Sequence, residues 1–199
     1  MNKLFTTKKL VLIAVFSALA FVLMLFEFPL PFIAPSFYEI DLSEVPVLLG
    51  SFIMGPVAGV IIEAIKIILK VLIKGTTTGY VGDVANFIIG CCLVVPAGVA
   101  YKIKKSKKAA LIGLAIGTLI MILGGVIANY YFLIPIYSKF MPLDAIIQAG
   151  KAINPAVSNT LSLVLICVAP FNLLKGIIVS LITVLLYKRT SNFIKNIGH

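Results

Sequence analysis

The chain has 199 residues, of which 61% are hydrophobic and 12% are charged, and its mean hydropathy is +1.14. This composition excludes a soluble globular domain and is typical of an integral membrane protein. The net charge of +10 would suggest a nucleic-acid partner in a soluble protein; here the basic residues flank apolar runs, so we expect membrane topology to explain it and no nucleic acid to bind.

The first apolar run, 10–27, predicts a transmembrane helix, because long apolar runs with short polar breaks are typical of membrane helices and not of barrel strands. No small-residue cleavage site follows it, so we expect it to be retained and not removed as a signal peptide. Within it, Ala14 and Ala18 are four residues apart. This spacing permits close helix approach, either inside this chain or against another membrane subunit. Three further spans are predicted at 80–101, 109–136 and 170–187.

The apolar stretch 45–73 could cross the membrane once or twice, and the lysines decide between the two. Basic residues precede the first span, fill the loop 102–108 and follow the last span: Lys3, Lys8, Lys9, Lys102, Lys104, Lys105, Lys107, Lys108, Lys188, Arg189 and Lys195. Short basic loops stay cytoplasmic, so an even number of crossings must separate these clusters. A division at Gly55-Pro56, a turn signal with proline at a helix start, meets this condition. We therefore predict an all-α membrane protein of six transmembrane helices, with both termini cytoplasmic and one domain, 1–199.

The acidic residues agree with this topology. Six of them fall outside or at the outer border of the predicted spans: Glu27, Glu39, Asp41, Glu44, Asp83 and Asp144. Only Glu63 lies well inside a helix, and Lys66 is three residues later on the same face. This pair predicts an intramembrane ion pair, with ligand contact or partner docking as the alternatives.

Polar side chains from distant parts of the chain fall in the outer half of the predicted bundle. The last span contains "APFNLLKG", in which Pro170 starts or kinks the helix while Asn172 and Lys175 share one face. Asn129 and Asn86 lie near the outer ends of their own spans. Because a lysine at such depth is costly, these groups indicate a ligand cavity on the extracellular side. Alternatively, Lys175 snorkels and the asparagines join helices.

Several classes of function are disfavoured by what the chain lacks. The three cysteines, Cys91, Cys92 and Cys167, lie in apolar runs and are expected to be core residues. The single histidine is His199, so histidine catalysis and a zinc site are not expected. The sequence contains neither a phosphate-binding loop nor a nucleophile elbow. We therefore expect no enzyme activity, no metal and no cofactor.

Four segments carry a resemblance to a known family: "FPLPFIAPSFYEIDLSEVPVLLGSFIMGPVAGVI" (28–61), "GDVANFIIG" (82–90), "ANYYFLIPIY" (128–137) and "PFNLLKG" (170–176). Their order and spacing resemble the substrate-binding S components of energy-coupling factor (ECF) vitamin transporters, in particular the riboflavin-binding type. This resemblance implies a multi-pass protein of the cell membrane. It further implies a six-helix bundle whose outer cavity holds one riboflavin as the transported ligand.

The resemblance also implies roles for individual residues. Asn129, Asn172 and Lys175 match positions that hydrogen-bond the flavin, and Glu39 and Asp41, with the adjacent Leu42, match a loop that lids the pocket. Asn86 is assigned to the same site. Ala14 and Ala18 match an alanine face that docks a transmembrane coupling subunit (T component).

The T component of such a transporter joins two cytoplasmic ATPase subunits, which supply the energy, while the S component reorients in the bilayer. One departure stands out: Asp83-Val84 occupies the place where a histidine and an aromatic residue are expected. Two alternatives stay open, namely an S component for another vitamin and a stand-alone carrier or channel that uses Glu63 and Lys66 as a relay.

Overall fold

The computed structural model describes residues 6–76 and 78–197, and this part of the chain is mostly helical. Lys3 and His199, used in the sequence analysis, lie outside the described residues. The helices are α1 (Thr7–Met24), α2 (Glu44–Met54), α3 (Pro56–Ile73), α4 (Val81–Ile103), α5 (Lys107–Ala128, Asn129–Leu133 and Ile134–Tyr137), α6 (Leu143–Lys151) and α7 (Thr160–Leu163, Val164–Val168 and Ala169–Ile197). The middle parts of α5 and α7 are π-helical turns. A two-residue ribbon pairs β1 (Phe28–Pro29) with β2 (Glu39–Ile40), antiparallel.

Among the described residues, four helices are long and apolar enough to cross a membrane: Thr7–Met24, Val81–Ile103, Lys107–Tyr137 and Thr160–Tyr187. The other two helices of the bundle differ, since α2 has only 11 residues and α3 carries three charged residues, Glu63, Lys66 and Lys70. The predicted division of 45–73 is confirmed, because α2 ends at Met54, Gly55 follows as its C-cap, and Pro56 is the first residue of α3. Gly55 has φ +100°, a backbone conformation that favours glycine.

The short helix α2 is enclosed by its neighbours. All of its residues except Leu49 are buried. Small residues allow this close approach: a Cβ atom on Gly59 of α3 would lie 2.8 Å from the Cβ of Ser51 and 2.7 Å from Val94 of α4. Since α2 contacts protein on all sides, it does not need the length of a lipid-facing helix.

The last long helix begins at Thr160, ten residues earlier than predicted. The predicted start at residue 170 was therefore wrong. Asn159 and Ser162 form a capping box that starts α7 at Thr160. Pro170 is inside the helix, directly after the π-helical turn, where the Ala169 N–H bonds to the carbonyl of Val164 five residues back. Such turns accommodate the missing N–H of proline within a continuous helix.

The connections at one end of the bundle form a cover. The segment 28–43 with its β-ribbon and the helix α6, which the sequence analysis missed, pack over the start of α7. Their shared core is apolar and buried: Ala34, Ile40, Ile146, Val157, Leu163, Val164 and Cys167. Cys167 is a buried core residue, as expected, whereas Cys91 and Cys92 are half-buried on α4; all three cysteines are free thiols.

Candidate ligand-binding site

A cavity of about 390 Å³ lies beneath this cover, between α1, α3, α4, α5 and α7. Its volume is within the range of small-molecule sites in proteins. Its polar lining comprises Glu27, Ser36, Tyr38, Glu39, Glu44, Lys70, Thr78, Asp83, Asn86, Asn129, Tyr137, Asn172 and Lys175. Its apolar lining includes Met24, Phe37, Ile89, Met121, Leu133, Met141 and Phe171. Aromatic rings with a few convergent polar groups suit a flat, partly polar ligand.

Asn129 of α5 and Asn172 and Lys175 of α7 all line this cavity, and each is at most 6% exposed. The spacing of Asn172 and Lys175 placed them on one face of the last helix, and the structure brings both to the cavity with Asn129. These buried polar groups therefore face a void and are not enclosed in packed protein.

The two amides are oriented by their own helices. Asn129 Nδ2 donates to the Gly125 carbonyl at 2.8 Å, and Asn172 Nδ2 donates to the Val168 carbonyl at 3.0 Å. The Tyr38 hydroxyl donates to Asn129 Oδ1 at 2.7 Å. A Cβ atom on Gly125 would lie only 2.5 Å from Asn172 Nδ2, so the glycine is what allows the two helices to bring their amides together.

Lys175 is held by an aspartate far away in the sequence. Its Nζ lies 3.0 Å from Asp41 Oδ2, across 134 residues of chain, and the other Asp41 oxygen accepts from the Ser43 N–H at 2.7 Å. Burial would raise the pKa of Asp41, but the charges of Lys175 and Lys66 and the bond from Ser43 outweigh it and lower that pKa to about 2. The pair fixes the segment 28–43 to α7.

The remaining predicted site residues are placed differently. Asn86 and Glu39 line the cavity, whereas Asp41 binds Lys175 without lining it. Leu42 does not line the cavity, and 36% of its surface is exposed. Glu39 is exposed, and partial burial together with the nearby carboxylate of Glu27 raises its pKa.

Charged residues of α3 and α4 also reach the site: Asp83 was expected near the outer end of its helix, whereas sequence reasoning missed Lys70. Lys70 Nζ lies 2.6 Å from Asp83 Oδ1, and both side chains line the cavity. Asp83 thus contributes a carboxylate that is already paired. Lys70 is four residues after Lys66, and this helical spacing was the available signal.

The predicted ion pair of Glu63 and Lys66 is present, at 2.7 Å, and it is fully buried. Lys66 also contacts Glu44 Oε1 at 2.9 Å and Ser43 Oγ at 3.0 Å. Glu44 lines the cavity, so this buried cluster of charged residues lies directly beside the cavity.

Ala14 and Ala18 are both exposed on α1, next to exposed apolar residues such as Val15 and Leu19. Packing inside this chain instead uses a different face of the helix, with Ile13, Ser17 and Ala20 buried. The alanine face is therefore available on the outside of the bundle.

Residues 8–187 match the family described as "ECF transporter, substrate-specific component". The chain belongs to this family, whose members are transporter components and not enzymes.

Individual relatives agree over nearly the full length. The chain is 38% identical to the riboflavin transporter RibU of Staphylococcus aureus (strain TCH60), over 96% of this chain and 94% of that one. It is 35% identical to the riboflavin transporter FmnP of Bacillus subtilis (strain 168), over 94% of each chain. A solved structure, described as the S component of a bacterial ECF transporter, superimposes with a TM-score of 0.72 at 36% identity and covers 94% of this chain and 96% of that chain.

Proposed function

We propose that this chain binds riboflavin in the cavity beneath the 28–43 segment and delivers it inward as the S component of an ECF importer. The observation that carries the proposal is that Asn129, Asn172 and Lys175 line one cavity in a chain 38% identical to a riboflavin transporter. Asn86 and Glu39 would contact the ligand from the cavity wall. Asp41 would act by holding Lys175, and Leu42 would belong to the covering segment 28–43 without lining the pocket.

The proposed topology follows from the charge distribution and from the enclosed helix α2. The helices α1–α5 and α7 would form six spans of one substrate-binding domain, 1–199, with both termini cytoplasmic. The basic loop 102–108 would then face the cytoplasm, and the cavity would open on the extracellular side of the cell membrane.

The proposed partners are a T component and two cytoplasmic ATPases, which would provide ATP hydrolysis. Ala14 and Ala18 would dock the T component, since they form a small-residue surface on the outside of α1. Replacement of either alanine by a bulky residue would then spare ligand binding and impair assembly.

Titration of riboflavin fluorescence with the detergent-purified chain tests the binding function. We expect saturable quenching by the parent chain, and Asn172→Ala should weaken binding by about 1–3 kcal/mol through the lost amide. Gln148→Ala, on the exposed side of α6, is the matched control and should bind as the parent does.

Saturable binding of another vitamin without riboflavin binding would contradict the ligand assignment and favour an S component for that vitamin. Uptake by the chain alone in liposomes would instead favour a stand-alone carrier. Equal riboflavin affinity of the parent and Asn172→Ala would show that the cavity is not the site.

A further inference from the structure

Acidic residues are concentrated around the cavity, although the chain as a whole is strongly basic. The chain has seven Asp and Glu residues and a net charge of +10. Six of the seven line the cavity or form an ion pair next to it: Glu27, Glu39, Asp41, Glu44, Glu63 and Asp83. The seventh, Asp144, is exposed on α6.

The two lysines that line the cavity are already paired with carboxylates. Lys70 is bound by Asp83 at 2.6 Å, and Lys175 is bound by Asp41 at 3.0 Å. Among the described residues, then, the cavity wall has no ammonium group without a carboxylate partner. Glu39 adds a further carboxylate, which lies next to the carboxylate of Glu27 and near the ammonium groups of Lys74 and Lys70, both of which are bound by other carboxylates.

Lysines next to the cavity wall are paired with carboxylates in the same way. Lys74 is bound by Glu27 at 2.7 Å, where α1 and α3 end. Lys66 is shared by Glu44 and Glu63, so this buried cluster has more carboxylates than ammonium groups. An anionic ligand would therefore meet, in the part of the wall that the structure describes, only positive charges that are already engaged.

We propose, on the basis of the proposed flavin-binding function, that this cavity selects the uncharged flavin over its phosphate monoester and that Asp83 and Glu39 set this selectivity. A phosphate monoester carries a charge of about −1.5 to −2 at neutral pH and needs unpaired donors to be buried. Here it must displace Asp83 from Lys70, or lie against carboxylates in a medium of low dielectric constant.

The two carboxylates act in different ways. Asp83 is 4% exposed and occupies Lys70, so removal of its charge leaves an ammonium group free to bind phosphate. Glu39 is exposed on β2, and it repels an anion without occupying a lysine. The replacement Asp83→Asn should therefore improve phosphate-ester binding more than Glu39→Gln does.

Separate quenching titrations with riboflavin and with its phosphate monoester, on the full chain in detergent at neutral pH and constant ionic strength, test this selectivity. We expect the phosphate ester to bind at least about tenfold more weakly to the parent, because no free cation compensates its charge. Asp83→Asn should reduce this ratio about threefold or more, and Glu39→Gln about twofold, since each removes one repelling charge. Asp144→Asn removes the same charge away from the cavity and should leave the ratio unchanged.

Equal affinity of the parent for both compounds would overturn the selectivity while leaving the flavin-binding function intact. If Asp144→Asn changed the affinity ratio as much as Asp83→Asn does, the total charge of the protein would explain the selectivity. That result would also overturn the proposal. Should Asp83→Asn fail to fold, Glu39→Gln decides alone, because its side chain is exposed and makes no ion pair among the described residues. Absence of binding for both compounds would contradict the flavin-binding function itself.

Discussion

The two ends of the helical bundle are built on different principles. At one end, ion pairs such as Lys175–Asp41 and Lys70–Asp83 surround the cavity of about 390 Å³. The other end is about 27 Å away along α4, as calculated from the helical rise between Asp83 and Tyr101. There the ring centroids of Tyr101 and Phe52 lie 4.8 Å apart. The contrast shows that one set of helices can be close-packed at one end and, at the other, joined by ion pairs around a cavity.

The packed end depends on small residues as well as on aromatic rings. The hydroxyl groups of Tyr101 and Tyr187 lie 3.1 Å apart, so the polar atoms of this cluster satisfy one another. Nearby, Gly113 of α5 lies against the backbone of Ala97 in α4. We therefore expect substitutions at this end to change stability, and substitutions at the cavity end to change stability and ligand binding together.

The largest expected effect is at the cavity end. Lys175→Met leaves the Asp41 carboxylate, which is 2% exposed, buried without its ammonium partner, at a cost of about 3–5 kcal/mol in the free energy of unfolding. Adding Asp41→Asn removes the stranded charge and should recover much of this loss. Unfolding by denaturing detergent in mixed micelles measures both variants, and a double variant no more stable than Lys175→Met would contradict the pairing.

A smaller effect is expected at the packed end. A Cβ atom on Gly113 would lie 2.9 Å from the Ala97 carbonyl oxygen and 2.8 Å from the Ala100 Cβ, so Gly113→Val should cost up to about 3 kcal/mol by overpacking. Ala115→Val, on the exposed face of the same helix, is the control and should change stability by about 0.5 kcal/mol or less. Loss of riboflavin affinity without loss of stability would show that the two ends are not independent.

The smallest effect is the acid sensitivity of the cavity end. The pKa of Asp41 in the folded chain is lowered from 3.8 to about 2, so its ionised form stabilises the fold above about pH 4. This contribution, about 2 kcal/mol, is lost as the pH falls from about 4 towards 2. Between pH 6 and pH 3, the midpoint temperature of thermal unfolding should therefore fall more steeply for the parent than for Lys175→Met/Asp41→Asn. Parallel curves for the two proteins would contradict the contribution of ionised Asp41.

Local features of this bundle could be predicted from sequence, because they depend on residues close together in the chain. The break at Gly55-Pro56 follows from the backbone preferences of two residues. The common face of Asn172 and Lys175, and the pair Glu63–Lys66, follow from helical spacing. The resemblance of four segments to the S components led to the correct family.

Long-range features could not be predicted from spacing. Nothing local indicates that Asp41 binds Lys175, 134 residues later, or that Asp83 binds Lys70 from the next helix. The early start of α7 was missed because Pro170 was given more weight than the capping residues Asn159 and Ser162. The helix α6 was not predicted, because it is short and polar on one face and therefore contains no long apolar run.

The charged residues of α3 have a consequence for how the protein is made. Lys66 has a partner on α3 itself, Glu63, and a second one on α2, whereas Lys70 is paired with Asp83 of α4. The helix α3 alone would therefore leave the translocon with Lys70 unmatched. We expect α2, α3 and α4 to enter the bilayer together, as one insertion unit, and not one helix at a time. Glycosylation mapping of chains truncated after α3 would contradict this if α3 were fully inserted before α4 is synthesised.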